Sequence, residues 1–167
     1  MYKTDVNLQT AFAGESQAYC RYTLYAVKAE QEGFPELARL FRAAAEAEMV
    51  HLRNHYGVMD ALGKTKDNLL AAATSEHREI TTVYPAFLEK ATEERADRAR
   101  ISFNYALAAE MVHNEHFEKA LQAIKSGQRI DNQKYFVCQV CGNLVAREAP
   151  QKCTICGQSS EKFKLVD

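Results

Sequence analysis

The tetrapeptide Glu-Met-Val-His occurs twice in this chain of 167 residues, once beginning at Glu48 and once at Glu110. Both copies stand in alanine-rich runs, and a helix would place the glutamate and the histidine three positions later on one face. Another glutamate precedes each copy at a matching distance, since Glu15 lies 33 residues before Glu48 and Glu76 lies 34 before Glu110. The pattern predicts two helical hairpins, each of which contributes Glu plus Glu-x-x-His.

Turn signals divide the first part of the chain into helices. Gly33 followed by Pro35, Gly63, and the pair Ser126-Gly127 are typical of helix ends and starts. Four helices are predicted, at 4–31, 35–62, 66–93 and 96–126. Each has an inward stripe, at alternating steps of four and three, that is apolar at both ends and ionisable near the middle. Because a buried carboxylate without a partner is costly, something positive is expected among these glutamates.

The ligand set of the two hairpins is that of di-iron and di-manganese carboxylate bundles. Four glutamates neutralise two divalent ions, and Glu79 adds a fifth carboxylate one turn after Glu76. An extra anion is useful when metals are oxidised, which favours redox chemistry over storage. The alternative is an amphipathic bundle with solvated glutamates and histidines packed by chance, but two matching copies argue against it.

The last thirty residues differ in kind. They hold two Cys-x-x-Cys-Gly motifs, formed by Cys138 and Cys141 and by Cys153 and Cys156, with eleven residues between Cys141 and Cys153; Cys20 stands alone. Four thiolates on two tight turns form a tetrahedral site for zinc or iron. Zinc would make the tail a structural module, and iron would make it a one-electron carrier.

Composition excludes several classes of function. The formal net charge of −1 gives no pull toward nucleic acid or an anionic membrane. The sequence has neither an apolar run of membrane-spanning length nor a signal-peptide pattern at its start, so a cytoplasmic protein is expected. It also lacks a nucleotide-binding fingerprint, so any nicotinamide cofactor would act through a partner protein.

Taken together, the motifs resemble those of the rubrerythrin family. The resemblance rests on "AFAGES" around Glu15, the two "EMVH" motifs, "SEHRE" followed by "VYP", and the paired cysteine motifs. It implies an all-α four-helix ferritin-like bundle at 1–128 and a small C-terminal rubredoxin-like metal-binding β domain at 129–167. It also implies a non-haem di-iron peroxidase that reduces hydrogen peroxide to water in oxidative-stress defence. Electrons would come from rubredoxin or an NAD(P)H-fed flavoprotein reductase, through the rubredoxin-like iron.

The resemblance also implies roles for individual residues. The di-iron ligands would be Glu15, Glu48, His51, Glu76, Glu79, Glu110 and His113, and the mononuclear iron would be held by Cys138, Cys141, Cys153 and Cys156. Glu48 and Glu110 would bridge the two irons. Glu79 and His51 would exchange as ligands of one iron when its redox state changes, and Tyr22 and Tyr84 would hydrogen-bond ligand carboxylates.

Three features depart from the family pattern. Ser75 stands where glycine is common, and Thr154 stands in the second cysteine motif where proline is common. The third departure is the short connector between the second and third helices. A homodimer is implied by the family, and this connector suggests that the hairpins are domain-swapped between subunits; a higher homo-oligomer is the other possibility.

Two other functions remain open at this level. An iron-oxidising or oxygen-reducing di-iron protein with an accessory four-cysteine metal site would use the same bundle. A non-enzymatic interaction module with structural zinc would leave the glutamates unexplained.

Overall fold

The structure is a computed structural model that describes residues 2–166. It contains α1 (Lys3–Gln31), α2 (Pro35–Val58), α3 (Thr65–Arg78), a π-helical turn (Glu79–Val83), α4 (Tyr84–Glu93), α5 (Asp97–Lys125), β1 (Tyr135–Cys138), β2 (Leu144–Ala146), a 3-10 turn (Ser160–Lys162) and β3 (Phe163–Val166). The fold class is confirmed: four helical rods precede a small three-stranded sheet. Within residues 2–166, no helix has both the length and the apolar composition needed to cross a membrane.

The chain divides into two compact units, of which the first ends at Gly63 and the second begins at Lys64. The first unit is the hairpin of α1 and α2. Gly33 adopts a positive φ of 80°, and Phe34 N–H donates to Ala29 O at 2.8 Å, which ends α1. The hairpin buries small side chains on both helices, so the two backbones approach closely; these are Ala18, Ala26, Ala29, Ala38 and Ala45.

Helix α2 ends at Val58, four residues before the predicted end at 62. Asp60 takes the left-handed conformation, with φ of 50°. Ala61 N–H then donates to Tyr56 O at 3.3 Å and closes the helix end. Aspartate tolerates this conformation better than most residues do, so the helix can end before the glycine. The prediction relied on Gly63 and therefore placed the helix end too late.

In the second unit, α3, the π-helical turn and α4 together form the rod that was predicted at 66–93. Pro85 lies in the first turn of α4. It has no N–H group, so it interrupts the α-helical hydrogen-bond ladder, and the wider π turn directly before it accommodates this break. The turn begins at Glu79. Both parts of the rod pack along α5.

The same unit contains the sheet, in which β1 is central and pairs antiparallel with β2 and with β3. Helix α5 ends as predicted at Ser126-Gly127, and residues 126–134 then lead to β1 without helix or strand. The predicted domain boundary at 128/129 falls in this segment and stays a prediction.

Candidate metal centres

The first unit brings Glu15, Glu48 and His51 together. Glu15 lies on α1, while Glu48 and His51 lie one turn apart on α2. His51 Nδ1 is 2.8 Å from Glu48 Oε2 and 3.9 Å from Glu15 Oε1. One ligand atom from each of the three side chains lies within 4.8 Å of the others. Two carboxylate oxygens and one imidazole nitrogen form a donor set that suits iron, manganese or zinc.

The second unit repeats this arrangement with Glu76, Glu110 and His113. Glu76 lies on α3, and the other two lie one turn apart on α5. His113 Nδ1 is 2.7 Å from Glu110 Oε2, and one ligand atom from each of the three again lies within 4.8 Å of the others. The side chains of Glu110 and His113 are only 18% and 24% exposed. The internal repeat in the sequence is therefore a repeat in geometry, with one trio in each unit.

The surroundings of the Glu76 carboxyl group favour a bound cation. Burial raises its pKa to about 8, and the hydrogen bond and negative charge of Glu110 and the charge of Glu79 act in the same direction. Its buried Oε2 atom has no hydrogen-bond partner. A buried acceptor without a donor, beside another carboxylate, is costly unless a cation binds there. The donor set and this unpartnered oxygen both fit a bound metal.

Glu79 and Tyr84 border the second trio. Glu79 is the first residue of the π-helical turn, and Ser75 Oγ donates to its Oε1 at 3.5 Å. Burial and the charges of Glu110, Glu79 and Glu76 raise the pKa of Tyr84, so its hydroxyl stays protonated beside these carboxylates. The predicted fifth carboxylate therefore lies close enough to act on the trio electrostatically. Ser75, which the sequence marked only as a departure, contacts it.

Tyr22 lies in an aromatic group on the first hairpin. Its ring centroid is 6.3 Å from that of Tyr25 and 6.4 Å from that of Phe41. Packing accounts for this position, and a hydrogen bond from Tyr22 to a ligand carboxylate stays a prediction.

The four cysteines of the tail converge on one point. Cys138 Sγ is 3.7 Å from Cys156 Sγ, and Cys141 Sγ is 3.5 Å from Cys153 Sγ. Tetrahedral coordination at a metal–sulfur distance of about 2.3 Å requires sulfur–sulfur edges of about 3.8 Å, so the observed spacing fits a metal ion. After the first pair, Gly142 adopts φ of 79°, a conformation that a residue with a side chain rarely takes.

The thiols have unequal electrostatic surroundings. Burial raises the pKa of Cys141. At Cys153 burial has the same tendency, but N–H groups of Cys156 and Ile155 and the side chain of Asn143 donate to its sulfur and lower its pKa to about 6. A thiolate stabilised by several donors is the form that binds metal.

The thiolate site lies next to the second trio within the same compact unit. His113 Nε2 is 3.0 Å from Gly142 O, the carbonyl directly after Cys141. With Nδ1 facing Glu110, the Nε2–H group donates to this carbonyl, which fixes the tautomer and leaves Nδ1 free for a metal. Tyr105 of α5 packs on the cysteine cluster, together with Ile155 and Phe163. No sequence pattern pointed to the roles of Gly142 O and Tyr105, since none places α5 against the tail.

Comparisons with known proteins agree with this geometry. The family model of rubrerythrin matches residues 6–121, and that of the rubrerythrin rubredoxin-like domain matches residues 136–164. Rubrerythrin-2 of Clostridium acetobutylicum is 34% identical over 171 residues, covering 94% of this chain and 93% of the relative. Nigerythrin of Nitratidesulfovibrio vulgaris is also 34% identical, over 94% of this chain and 83% of its own length.

Solved structures of nigerythrin are similar over the whole chain. The partially reduced state and the fully reduced, all-ferrous state each have a TM-score of 0.58 at 32% identity, covering 99% of this chain and 88% of the other. Together with the geometry, these comparisons make the two glutamate–histidine trios candidates for a di-iron carboxylate centre and the four cysteines a rubredoxin-like site.

Proposed function

The chain belongs to the rubrerythrin family, and we propose from this premise that it reduces hydrogen peroxide to water with electrons relayed through its four-cysteine site. The observation that carries the proposal is the 3.0 Å contact between His113 Nε2 and Gly142 O. It joins a residue of the second trio to the backbone that holds Cys141. A hydrogen bond between two metal-binding segments gives electrons a short covalent and hydrogen-bonded path.

The proposed assignment of residues follows from the two trios and the tail. Two irons would be held by Glu15, Glu48, His51, Glu76, Glu79, Glu110 and His113, and one iron by Cys138, Cys141, Cys153 and Cys156. When bound, the iron pair supplies two electrons and the Lewis acidity for O–O cleavage. The balance is H2O2 + 2 e– + 2 H+ → 2 H2O, and rubredoxin or an NAD(P)H-fed flavoprotein would restore the electrons.

The chain's own residues have distinct tasks in this proposal. His113 donates Nε2–H to Gly142 O and presents Nδ1 toward the carboxylates. Ser75 donates a hydrogen bond to the carboxylate of Glu79. This carboxylate would exchange with His51 as a ligand of one iron when the oxidation state of that iron changes. Tyr84 keeps its hydroxyl proton and so offers a hydrogen-bond donor to the carboxylates that border it.

A domain-swapped homodimer would complete each iron pair. Ferritin-like bundles join their second and third helices by a long crossover, because these helices run parallel. The length of α2 from Glu48 to its end is about 15 Å, and the length of α3 from its start to Glu76 is about 16 Å. A crossover within one chain must therefore span the sum of these lengths, about 31 Å. The connector from Val58 to Thr65 reaches at most about 25 Å. The first hairpin of one copy would therefore join the second hairpin of another.

Complementation tests the swap directly. One chain carries Glu48→Ala with His51→Ala, and the other carries Glu110→Ala with His113→Ala, under separate affinity tags. A swapped heterodimer regains one intact di-iron centre, so the doubly purified complex should recover iron and peroxide reduction that neither homodimer has. No recovery in a verified heterodimer contradicts swapping, because an unswapped dimer contains two damaged centres.

Anaerobic mixing tests the peroxidase proposal. The reduced protein receives one equivalent of hydrogen peroxide, and a parallel sample receives oxygen, while the visible absorbance of the thiolate-bound iron is followed. The proposal predicts fast return of colour with peroxide and slow return with oxygen. The Glu110→Ala/His113→Ala chain, whose cysteines are intact, should lose the fast phase. Equal or faster recovery with oxygen would instead favour an oxidase or ferroxidase, and a colourless tail would contradict the relay.

A further inference from the structure

Asn143 is a polar residue buried almost completely in the tail, with 2% exposure. It directly follows the first cysteine motif, and its backbone O accepts a hydrogen bond from Cys138 N–H at 2.9 Å. A side-chain amide in such a position must find partners, because an unsatisfied buried donor is costly. Its acceptors therefore indicate what the residue does.

Both acceptors of the Asn143 amide nitrogen belong to the second cysteine motif. Nδ2 is 3.3 Å from Thr154 Oγ1 and 3.6 Å from Cys153 Sγ. The amide carries two protons, so one can bind the hydroxyl while the other points to the sulfur. Thr154 thus orients the amide. Proline, the residue common at this position in the family, has no hydroxyl to do so.

We propose that Asn143, oriented by Thr154, is a positioning residue that raises the reduction potential of iron held by the four cysteines. The inference rests on the proposed function, in that the tail must hold iron in the native protein. Reduction adds one electron to a four-thiolate site without making or breaking a ligand bond, so the site gains one negative charge. A side-chain N–H···S hydrogen bond stabilises the more negative state more strongly.

The positions of the donor and the acceptor distinguish this role from loop packing. The loop itself is already held by backbone hydrogen bonds, from Cys138 N–H to Asn143 O and from Gly142 N–H to Cys138 O, each at 2.9 Å. The side-chain amide adds nothing to those bonds and instead bridges to a sulfur of the opposite motif. A higher potential at the thiolate site favours acceptance of electrons from the external donor.

A potentiometric titration of the iron-loaded full chain, followed by visible absorbance, tests the proposal. Asn143→Leu removes the donor without adding charge, and the ratio of reduced to oxidised iron at a fixed potential should fall about tenfold, equivalent to about 59 mV. Thr154→Val should lower the reduction potential by a smaller amount. Thr154→Ser, which keeps the hydroxyl group, should have the potential of the wild-type protein. Gln139→Leu is the matched control, because this amide donates to Val137 O and not to a sulfur.

An unchanged potential in Asn143→Leu, with the visible spectrum of wild-type protein, overturns the proposal. A shift in Gln139→Leu as large as that in Asn143→Leu also overturns it, because any loop change would then have the same effect. If Asn143→Leu does not fold, the wild-type chain loaded with cadmium-113 decides by NMR. Coupling between the metal and one Asn143 amide proton is expected, and its absence contradicts the N–H···S bond.

The cadmium measurement also separates this inference from the proposed function. A native tail that holds zinc, or a chain that does not react with peroxide, would contradict the relay. The coupling to the Asn143 amide would still appear in the cadmium protein if the hydrogen bond exists.

Discussion

Replacing Glu76 with glutamine should change how the stability of the metal-free protein depends on pH. The wild-type carboxyl has its pKa raised from 4.5 to about 8 by burial and by Glu110 and Glu79. The folded chain therefore keeps a proton that the unfolded chain releases above 4.5, and its unfolding free energy falls as pH rises through about 8. Glutamine has no proton to lose and still donates an N–H to Glu110.

The size of the effect follows from the shift. At about 1.4 kcal/mol per pKa unit, the change from 4.5 to about 8 sets a ceiling of about 5 kcal/mol. Solvent screening at this partly exposed carboxyl lowers the expected value to about 2 kcal/mol. Relative to wild type, Glu76→Gln should therefore gain about 2 kcal/mol between about pH 5 and about pH 9.

Urea unfolding of the chelator-treated proteins, followed by helical circular dichroism at both pH values, measures this difference. Glu89→Gln, an exposed glutamate on α4 in the same unit, is the matched control and should follow wild type. Parallel pH profiles for wild type and Glu76→Gln would refute the reasoning, because the buried proton would then be absent. Glu76→Gln should also lose metal at the second trio while its thiolate colour remains.

Three further changes have defined outcomes. Ala109→Leu puts a larger side chain where α5 meets the tail, since a Cβ on Gly142 would lie 3.8 Å from Ala109 Cβ. Stopped-flow absorbance should show that reoxidation of the thiolate iron slows by about tenfold or more. Ala91 is buried elsewhere in the same unit, so Ala91→Leu should not slow reoxidation. Pro85→Ala restores a backbone donor, so the π-helical turn should convert toward α-helix and move Glu79, which reduces the iron content measured after reconstitution. Asp60→Gly relieves the left-handed conformation at the end of α2 and should raise the unfolding free energy in urea by about 0.5 kcal/mol; a loss of stability would contradict the assigned helix end.

Periodicity and turn residues predicted the fold well, because each helix carries its own local signals. The alternation of apolar and ionisable residues placed Glu48 and His51 on one face, and Gly33 marked the first hairpin turn. The end of α2 at Val58, with Asp60 in the left-handed conformation two residues later, was missed, because aspartate enters the left-handed region less often than glycine does and carries no distinct signal.

Spacing predicted that the residues of each trio and the four cysteines come together, but it did not predict their surroundings. Glu-x-x-His fixes two ligands on one helix, and Cys-x-x-Cys-Gly fixes two thiols on one turn. By contrast, the contacts of His113 with Gly142 O and of Asn143 with Thr154 join segments that are distant in sequence. Such contacts depend on tertiary packing. No local pattern in the sequence marks them, and neither contact is repeated along the chain as the Glu-x-x-His and Cys-x-x-Cys-Gly motifs are.

Counting electrons tests the central claim most directly. If the thiolate site holds one reducible iron and the glutamate–histidine centre holds two, each reduced chain stores three electrons, and each peroxide consumes two. Anaerobic titration of the reduced protein should therefore restore full visible absorbance at about 1.5 equivalents of hydrogen peroxide per chain. An endpoint near 0.5 equivalents would mean that only the thiolate iron reacts, and it would contradict a relay that ends at the glutamate–histidine centre.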